Sequence, residues 1–350
     1  MTVASAPGKL VLFGDYAVLQ GAPSAATSLD VQARAQVDVT AGRDSVFIDL
    51  AGGKAYDFVL EPGSPLRWIG EQPADRGALL AAVMDTCHDL AHLRGTIPGL
   101  RISINTDEFF TTSGHTTVKL GLGSSAAALV ALTGALVNAL RIPLEQTSLI
   151  NVCHAAHRRF QGGRGSGIDI AAAVLGQVVG VQLDKSQDYP KAQRLDWPDG
   201  LFMLPVWSGN SASTPELVTR FEAFQARSPD AFESHLRNLT RFARQADVAW
   251  RGGLVAEILS ALVGYDNALA SLDYEAGIGI NTAAHDKLRG LTERHGAVYK
   301  TSGAGGGDFG IVLTDSVTVR DAVDAELSSA GFMVLRRRLN VAGLVIEGES

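Results

Sequence analysis

Cysteine is nearly absent: Cys87 and Cys153 are the only two in 350 residues. Two lone thiols make neither a disulfide framework nor a zinc motif, so a reducing compartment is expected. Long apolar runs are also missing. The longest, residues 126–132, is interrupted by Thr133 and Gly134 and falls short of a membrane span. The first residues carry no basic segment followed by an apolar one, so no secretory signal is expected and the cytoplasm is the expected location. Basic excess is absent as well. With 30 Lys and Arg against 37 Asp and Glu, the net charge is −7, which disfavours a nucleic-acid binder. A polyanionic ligand would need a locally positive site against that field.

What is present is globular in character: 46% hydrophobic, 19% charged and 38 glycines. The length suits two domains or one large one. Glycine gathers in four islands, at residues 6–16, 119–128, 162–169 and 301–310. Residues 10–13 read as a short buried strand and 31–39 alternate as a strand. Residues 100–104 and 178–183 are strand-like, as are 310–313 and 341–347. Residues 79–93 and 144–160 have helical spacing, and 126–140 are apolar nearly all round, the mark of a buried helix. Residues 184–200 are polar and contain Pro190 and Pro198, and read as a connection between domains. Residues 215–224, 229–246 and 255–272 look helical. Strands and helices mix without a strict βαβ rhythm, which favours α+β.

Gly121-Leu122-Gly123-Ser124-Ser125-Ala126 sits directly before the buried helix. A helix N-terminus carries unpaired N–H groups and partial positive charge, and glycines let a phosphate approach the backbone. Three readings compete at this point. One is a phosphate site. Another is the dinucleotide fingerprint G-x-G-x-x-A, weakened because residues 116–120 make a poor first strand and the acid in range, Glu145, looks like a helix start. The third is a plain capped helix after a glycine turn. The Walker A pattern is absent, since no Lys-Ser or Lys-Thr follows the glycines.

The other islands narrow the choice. Ala6-Pro7-Gly8-Lys9, followed by Gly14-Asp15-Tyr16-Ala17-Val18-Leu19, resembles the first motif of the GHMP kinase superfamily. Residues 121–128 resemble its second motif and Ser302-Gly303-Ala304-Gly305-Gly306-Gly307-Asp308 its third, in the family's order and spanning nearly the whole chain. The resemblance implies an α+β GHMP kinase fold: a ribosomal protein S5 domain 2-like unit, drawn at residues 1–190, and a ferredoxin-like unit at 191–350. ATP and a small-molecule acceptor would meet between them. Within the superfamily the chain is most similar to phosphomevalonate kinases. His157 with Gln161-Gly162, then Gly165-Ser166-Gly167-Ile168-Asp169, and Trp207-Ser208-Gly209-Asn210-Ser211-Ala212-Ser213-Thr214, match their patterns. Val206 and Ser208 depart from a Gly and a Thr there, and Phe309 from a Cys. Mevalonate kinase stays open as the alternative.

The resemblance also implies roles. Lys9 and Asp169 would be the catalytic residues. Lys119, Gly121, Gly123, Ser124, Ser125, Ala126, Gly305 and Gly306 would bind ATP, with Ser125 on Mg²⁺. Tyr16, with Asp15 beside it, and Ser166, Gly167, Ser213, Thr214 and Asp308 would face a phosphorylated acceptor. Arg164 is a further cationic candidate. No nucleic-acid or membrane partner is expected, and the assembly expected is a monomer or homodimer. The pairs His88/His92 and His154/His157 lack the Cys or Glu company of a metal site and are expected to be solvated or capping.

Overall fold

The computed structural model describes residues 1–42, 44–50, 53–61, 64–91, 98–113, 116–163, 165–183 and 189–348. Arg164, His92 and the side chain of His88 lie outside the described residues.

A long antiparallel pair, β1 (Thr2–Phe13) and β2 (Ser24–Thr40), is the spine of a nine-stranded sheet. In β2 the inward set Val31, Ala33, Ala35 and Val37 alternates with Gln32, Arg34, Gln36 and Asp38, the period-2 pattern of a one-sided strand. Strand β1 runs eight residues further toward the N-terminus than residues 10–13, the stretch the sequence marked. Pro7 and Gly8 look like breakers, but a register shift between them absorbs the proline within the pairing. Beyond β2 lie β6 (Gly99–Asn105), β3 (Ser45–Asp49), β4 (Lys54–Val59) and β5 (Arg67–Ile69), with β3 parallel to β6. On the other side lie β9 (Val178–Gln182) and β10 (Lys191–Leu195). Residues 184–200, read from sequence as a connection, therefore include a strand, and its polar composition suits a sheet edge.

Helix α2 (Ser124–Ala139) lies across β1 and β2 and is buried without a break from Ala126 to Val137, as its composition requires. Helices α1 (Asp75–Ala91), α3 (Gln146–Phe160) and α4 (Ile168–Leu175) pack around it. A hairpin of β7 (Phe110–Ser113) and β8 (Thr116–Lys119) leads into the α2 loop.

The second sheet is antiparallel, in the order β12 (Val298–Thr301), β13 (Phe309–Thr314), β11 (Phe202–Trp207), β14 (Met333–Val334). Helices α8 (Ala283–Glu293) and α9 (Val317–Ser329) pack on it, as does α7 (Val255–Ala276) against β12, and α5 (Thr214–Arg227) and α6 (Pro229–Arg251) pack on α7. The chain then returns: β15 (Val345–Gly348) pairs with β1. The chain thus crosses between the two sheets twice, once between β10 and β11 and again between β14 and β15.

Candidate active site

The first two glycine islands are joined through the backbone. Lys9 N–H donates to Leu122 O at 2.9 Å, and a Cβ on Gly8 would stand only 2.9 Å from that same oxygen. Glycine is what lets the two backbones meet. The Lys9 side chain then runs over Gly123, where a Cβ would lie 3.2 Å from Cγ and 3.5 Å from Cε. Its Nζ reaches Gly303, 3.7 Å from a Cβ built there. One lysine on β1 thus touches both the second and the third island.

Gly123 is left-handed (φ 84°) and begins α2 with no side-chain cap. The first intrahelical bond is Ala127 N–H to Gly123 O at 3.0 Å, so the amides of Ser124, Ser125 and Ala126 precede the ladder. The capped-helix reading therefore fails at the side-chain level. Ser125 Oγ is buried and has no hydrogen-bond partner among the described residues. A buried hydroxyl without a partner is costly unless something else supplies one. An uncapped N-terminus, an orphaned hydroxyl and a lysine laid across the loop together suit an anion with oxygen atoms to share.

Asp308 sits against this loop. A Cβ on Gly121 would fall 2.0 Å from the Asp308 Cγ, so the carboxylate occupies the space a side chain would need. Its Oδ1 accepts from Ala212 N–H at 3.1 Å. Burial pushes its carboxyl up, and the Ala212 bond, Lys9 and Lys119 pull it back. Both lysines thus act electrostatically on one acid beside the loop, and Lys119 itself is exposed.

The third island is held on every side. Ser302 Oγ accepts from Val11 N–H at 2.9 Å and donates to Val11 O at 3.1 Å. Gly303 N–H donates to Asp15 Oδ1 at 2.8 Å, and Tyr16 O–H to Ala304 O at 2.6 Å. Gly306 N–H donates to Ile280 O at 2.7 Å, so that amide is engaged within the protein. A Cβ on Gly305 would lie 2.6 Å from Ile280 O, which makes Gly305 a close-packing glycine. His285 Nε2–H donates to Gly307 O at 2.9 Å while its Nδ1 accepts from Tyr299 O–H at 2.6 Å, and burial lowers its basicity. The carbonyl of Gly307 can only accept, which fixes the tautomer. Asp308 N–H and O close the loop on Asn210 O and Ser208 N–H. Tyr16 is itself buried, with its ring 5.0 Å from Phe221, and it fastens this loop.

Asp169 is the second residue of α4, two positions after the left-handed Gly167 that precedes the helix. A Cβ on Gly167 would meet His154 Cδ2 at 2.5 Å, so glycine is obligatory there. Asp169 Oδ1 accepts from Ile170 N–H at 2.9 Å, and Oδ2 lies 4.0 Å from His157 Nε2. His154 and His157 are neither solvated nor capping, contrary to the sequence reading: both are buried on α3. Both nitrogens of His154 and Nε2 of His157 lack hydrogen-bond partners among the described residues. Burial, then the Arg158 charge, lowers His154 to about 4, so it is neutral at pH 7. Among the described residues no ion pair within 4.0 Å joins Lys9 to Asp169. Ser166 is half-buried near Asp169 in sequence, whereas Ser213 and Thr214 are exposed where α5 begins.

Sequence reasoning missed Lys300, which is fully buried against Asp15. Its one signal was a lysine in an otherwise apolar strand directly before the third island. Among the described residues no group of three or more His, Cys, Asp or Glu gathers to hold a metal, and no helix is long and apolar enough to cross a membrane.

Residues 79–177 match the GHMP kinases N terminal domain. The chain is 30% identical to a phosphomevalonate kinase of Streptomyces sp. (strain CL190), covering 91% of each protein. It is 25% identical to a mevalonate kinase of Thermococcus sibiricus over 99% of this chain and 98% of that one. The fold superposes on a Streptococcus pneumoniae phosphomevalonate kinase solved with phosphomevalonate and AMPPNP (TM-score 0.79, 18% identity, 97% of this chain and 100% of that one). With three glycine motifs brought together as their order implied, and a curated relative matched over nine tenths of its length, the chain belongs to the GHMP kinase family of ATP-dependent phosphotransferases.

Proposed function

We propose that this enzyme transfers the γ-phosphoryl group of ATP to 5-phosphomevalonate, giving ADP and 5-diphosphomevalonate. The observation that carries the ATP half is the uncapped start of α2 with the buried, unpartnered Ser125 Oγ under the arm of Lys9. The amides of Ser124, Ser125 and Ala126, the glycines Gly121 and Gly123, and Lys119 cradle the phosphates. Mg²⁺ is a hard ion that keeps several waters and binds chiefly through phosphate oxygens, so a single hydroxyl from Ser125 fits it without an acidic cluster. Bound there, it would neutralise charge on the transferring group.

An oxygen of the acceptor phosphate forms the new bond to the γ-phosphorus as the bond to the β–γ bridging oxygen breaks and ADP leaves. That acceptor has a second pKa of about 6 and is largely ionised already at neutral pH. It needs little deprotonation, so Asp169 mainly orients the acceptor, and repulsion between two anions is the barrier to lower. Lys9, within reach of both glycine loops, is placed for that neutralisation. Ser166, Gly167, Ser213 and Thr214 surround the acceptor in this reading, and Asp308 sets the Gly121 turn. Gly305 and Gly306 support ATP indirectly, through loop packing. The division at residue 190 is part of the same proposal, with β10 and β15 completing the N-terminal unit.

The acceptor choice leans on residues 165–169 and 207–214 and on the 30% identity to a phosphomevalonate kinase. The mevalonate kinase relatives at 23–26% identity support the second reading, a hydroxyl acceptor. ADP release screened with 5-phosphomevalonate, mevalonate, homoserine and galactose decides between them. Turnover is expected with 5-phosphomevalonate. Turnover with mevalonate and none with 5-phosphomevalonate would transfer the assignment to mevalonate kinase.

A further inference from the structure

The most deeply buried charges in the described protein play no part in the reaction outlined above. The Lys300 side chain is 0% exposed and pairs with Asp15 Oδ2, whose side chain is 1% exposed. Lys300 also donates to Thr301 O, and the Tyr265 ring lies 5.7 Å from its Nζ. Tyr265 O–H in turn donates to the backbone oxygen of Asp15 at 2.6 Å. An isolated carboxylate at such depth is untenable, and a fully buried ion pair is rarely kept for stability alone.

The other oxygen shows what the carboxylate is for. Asp15 Oδ1 accepts from Gly303 N–H at 2.8 Å, and Gly303 is the residue of the third island that Lys9 Nζ approaches. Asp15 belongs to the turn after β1, and Lys9 to β1 itself. The bond therefore fixes the distance between a side chain on the large sheet and a loop on the small one. The next residue, Tyr16, has φ 60° and ψ −50°, a backbone state that a tyrosine adopts only when its surroundings impose it. Those surroundings are again the third island, through Ala304 O.

We propose that Asp15 is a positioning residue for phosphoryl transfer: its bond to Gly303 N–H holds the third glycine loop against Lys9, and Lys300 is the counter-charge that makes a buried carboxylate tolerable there. The proposal rests on the kinase reading above and adds to it a pair that contacts neither ATP nor the acceptor. A misplacement of about 1 Å in such a frame is worth about 100-fold in rate. Loss of the Gly303 bond therefore lowers kcat and leaves ATP affinity nearly intact, because interactions needed only in the transition state appear in kcat.

Two double variants with the same charge separate this from a purely structural role. Asp15→Asn with Lys300→Met removes both charges but keeps an oxygen for Gly303. Asp15→Leu with Lys300→Met removes the oxygen as well. Both are assayed at a temperature where circular dichroism shows them folded. The first is expected to keep kcat within about tenfold of wild type, and the second to lose about 100-fold with the KM for ATP within about threefold. Equal kcat in the two doubles, high or low, overturns the proposal. So does a loss confined to KM. Should the leucine variant fail to fold, Ser302→Ala, which removes the neighbouring tie to Val11, is expected to lower kcat in the same direction; an unchanged kcat there counts against the proposal.

A second readout does not depend on turnover. Amine-selective acetylation followed by peptide mass spectrometry measures the reactivity of Lys9. It is expected to shift in the leucine double and not in the asparagine double. If wild type turns over no acceptor at all, the kinase reading fails while this labelling result still judges the positioning claim.

Discussion

Two glycine loops that look alike in sequence behave differently in space. The loop at 121–125 has its Leu122 and Gly123 carbonyls engaged, but among the described residues no side chain caps α2 and Ser125 Oγ is buried without a hydrogen-bond partner. The loop at 302–308 has many of its groups engaged. Val11, Asp15, Tyr16, Ile280, His285, Asn210 and Ser208 each hold one or more of them. The first offers polar groups that suit a ligand's oxygen atoms, whereas many groups of the second are already taken up by other protein. Glycine serves both ends, by letting a ligand near the backbone in one and by letting other protein near it in the other. Lys9 is the part they share, lying over Gly123 and reaching Gly303.

The comparison can be broken in several places. The largest effect is expected at the shared residue. Lys9→Met removes the cation between two phosphates and should lower kcat by about 1000-fold; a kcat within tenfold of wild type would detach Lys9 from the chemistry. Asp169→Asn comes next, with ATP affinity preserved. Its loss should be about 1000-fold for a hydroxyl acceptor and about 100-fold or less for a phosphate acceptor, which needs no base. Steady-state kinetics with both acceptors therefore read the acceptor class as well as the residue.

Stability separates the loops further. His154 is held neutral at about 4, against 6.5 when unfolded. Between those values the unfolded chain binds the extra proton, so stability is intact above pH 6.5 and declines as pH falls toward 4. His154→Leu should flatten that slope by on the order of 2 kcal/mol, measured by urea melts across the window. An unchanged slope would mean that His154 titrates normally. Ser302→Ala should cost about 1–3 kcal/mol, since it strands both backbone groups of Val11, with ATP affinity retained. A stability unchanged from wild type would show that the third loop is not held as described.

Much of this was legible beforehand because local chemistry carried it. The mostly apolar composition of α2 marked a buried helix, and the order of the glycine islands around it narrowed three readings of the loop to one. Other features were hidden for equally physical reasons. Strand β1 was shortened by Pro7-Gly8, because a bulge that accommodates proline depends on its partner strand. The buried state of His154 and His157 was misjudged, although they share a helix face with Ile150 and Cys153, four residues before each. That spacing was the available signal. The Asp15–Lys300 pair spans 285 positions and obeys no periodicity, so only the folded chain reveals it. Gly305 and Gly306 are expected near ATP, and composition gives no sign that both also pack closely on other protein, Gly305 on Ile280 and Gly306 on Leu217.

The central claim is that the 121–125 loop receives nucleotide phosphates and the 302–308 loop holds it in place. Calorimetric titration of MgATP into Ser125→Ala, beside a thermal melt, tests it most directly. Affinity is expected to weaken about tenfold, or about 1.4 kcal/mol, while the melting temperature holds or rises, because the removed hydroxyl has no hydrogen-bond partner among the described residues. Wild-type affinity in that variant, or a loss of affinity matched by a loss of stability, would contradict the account.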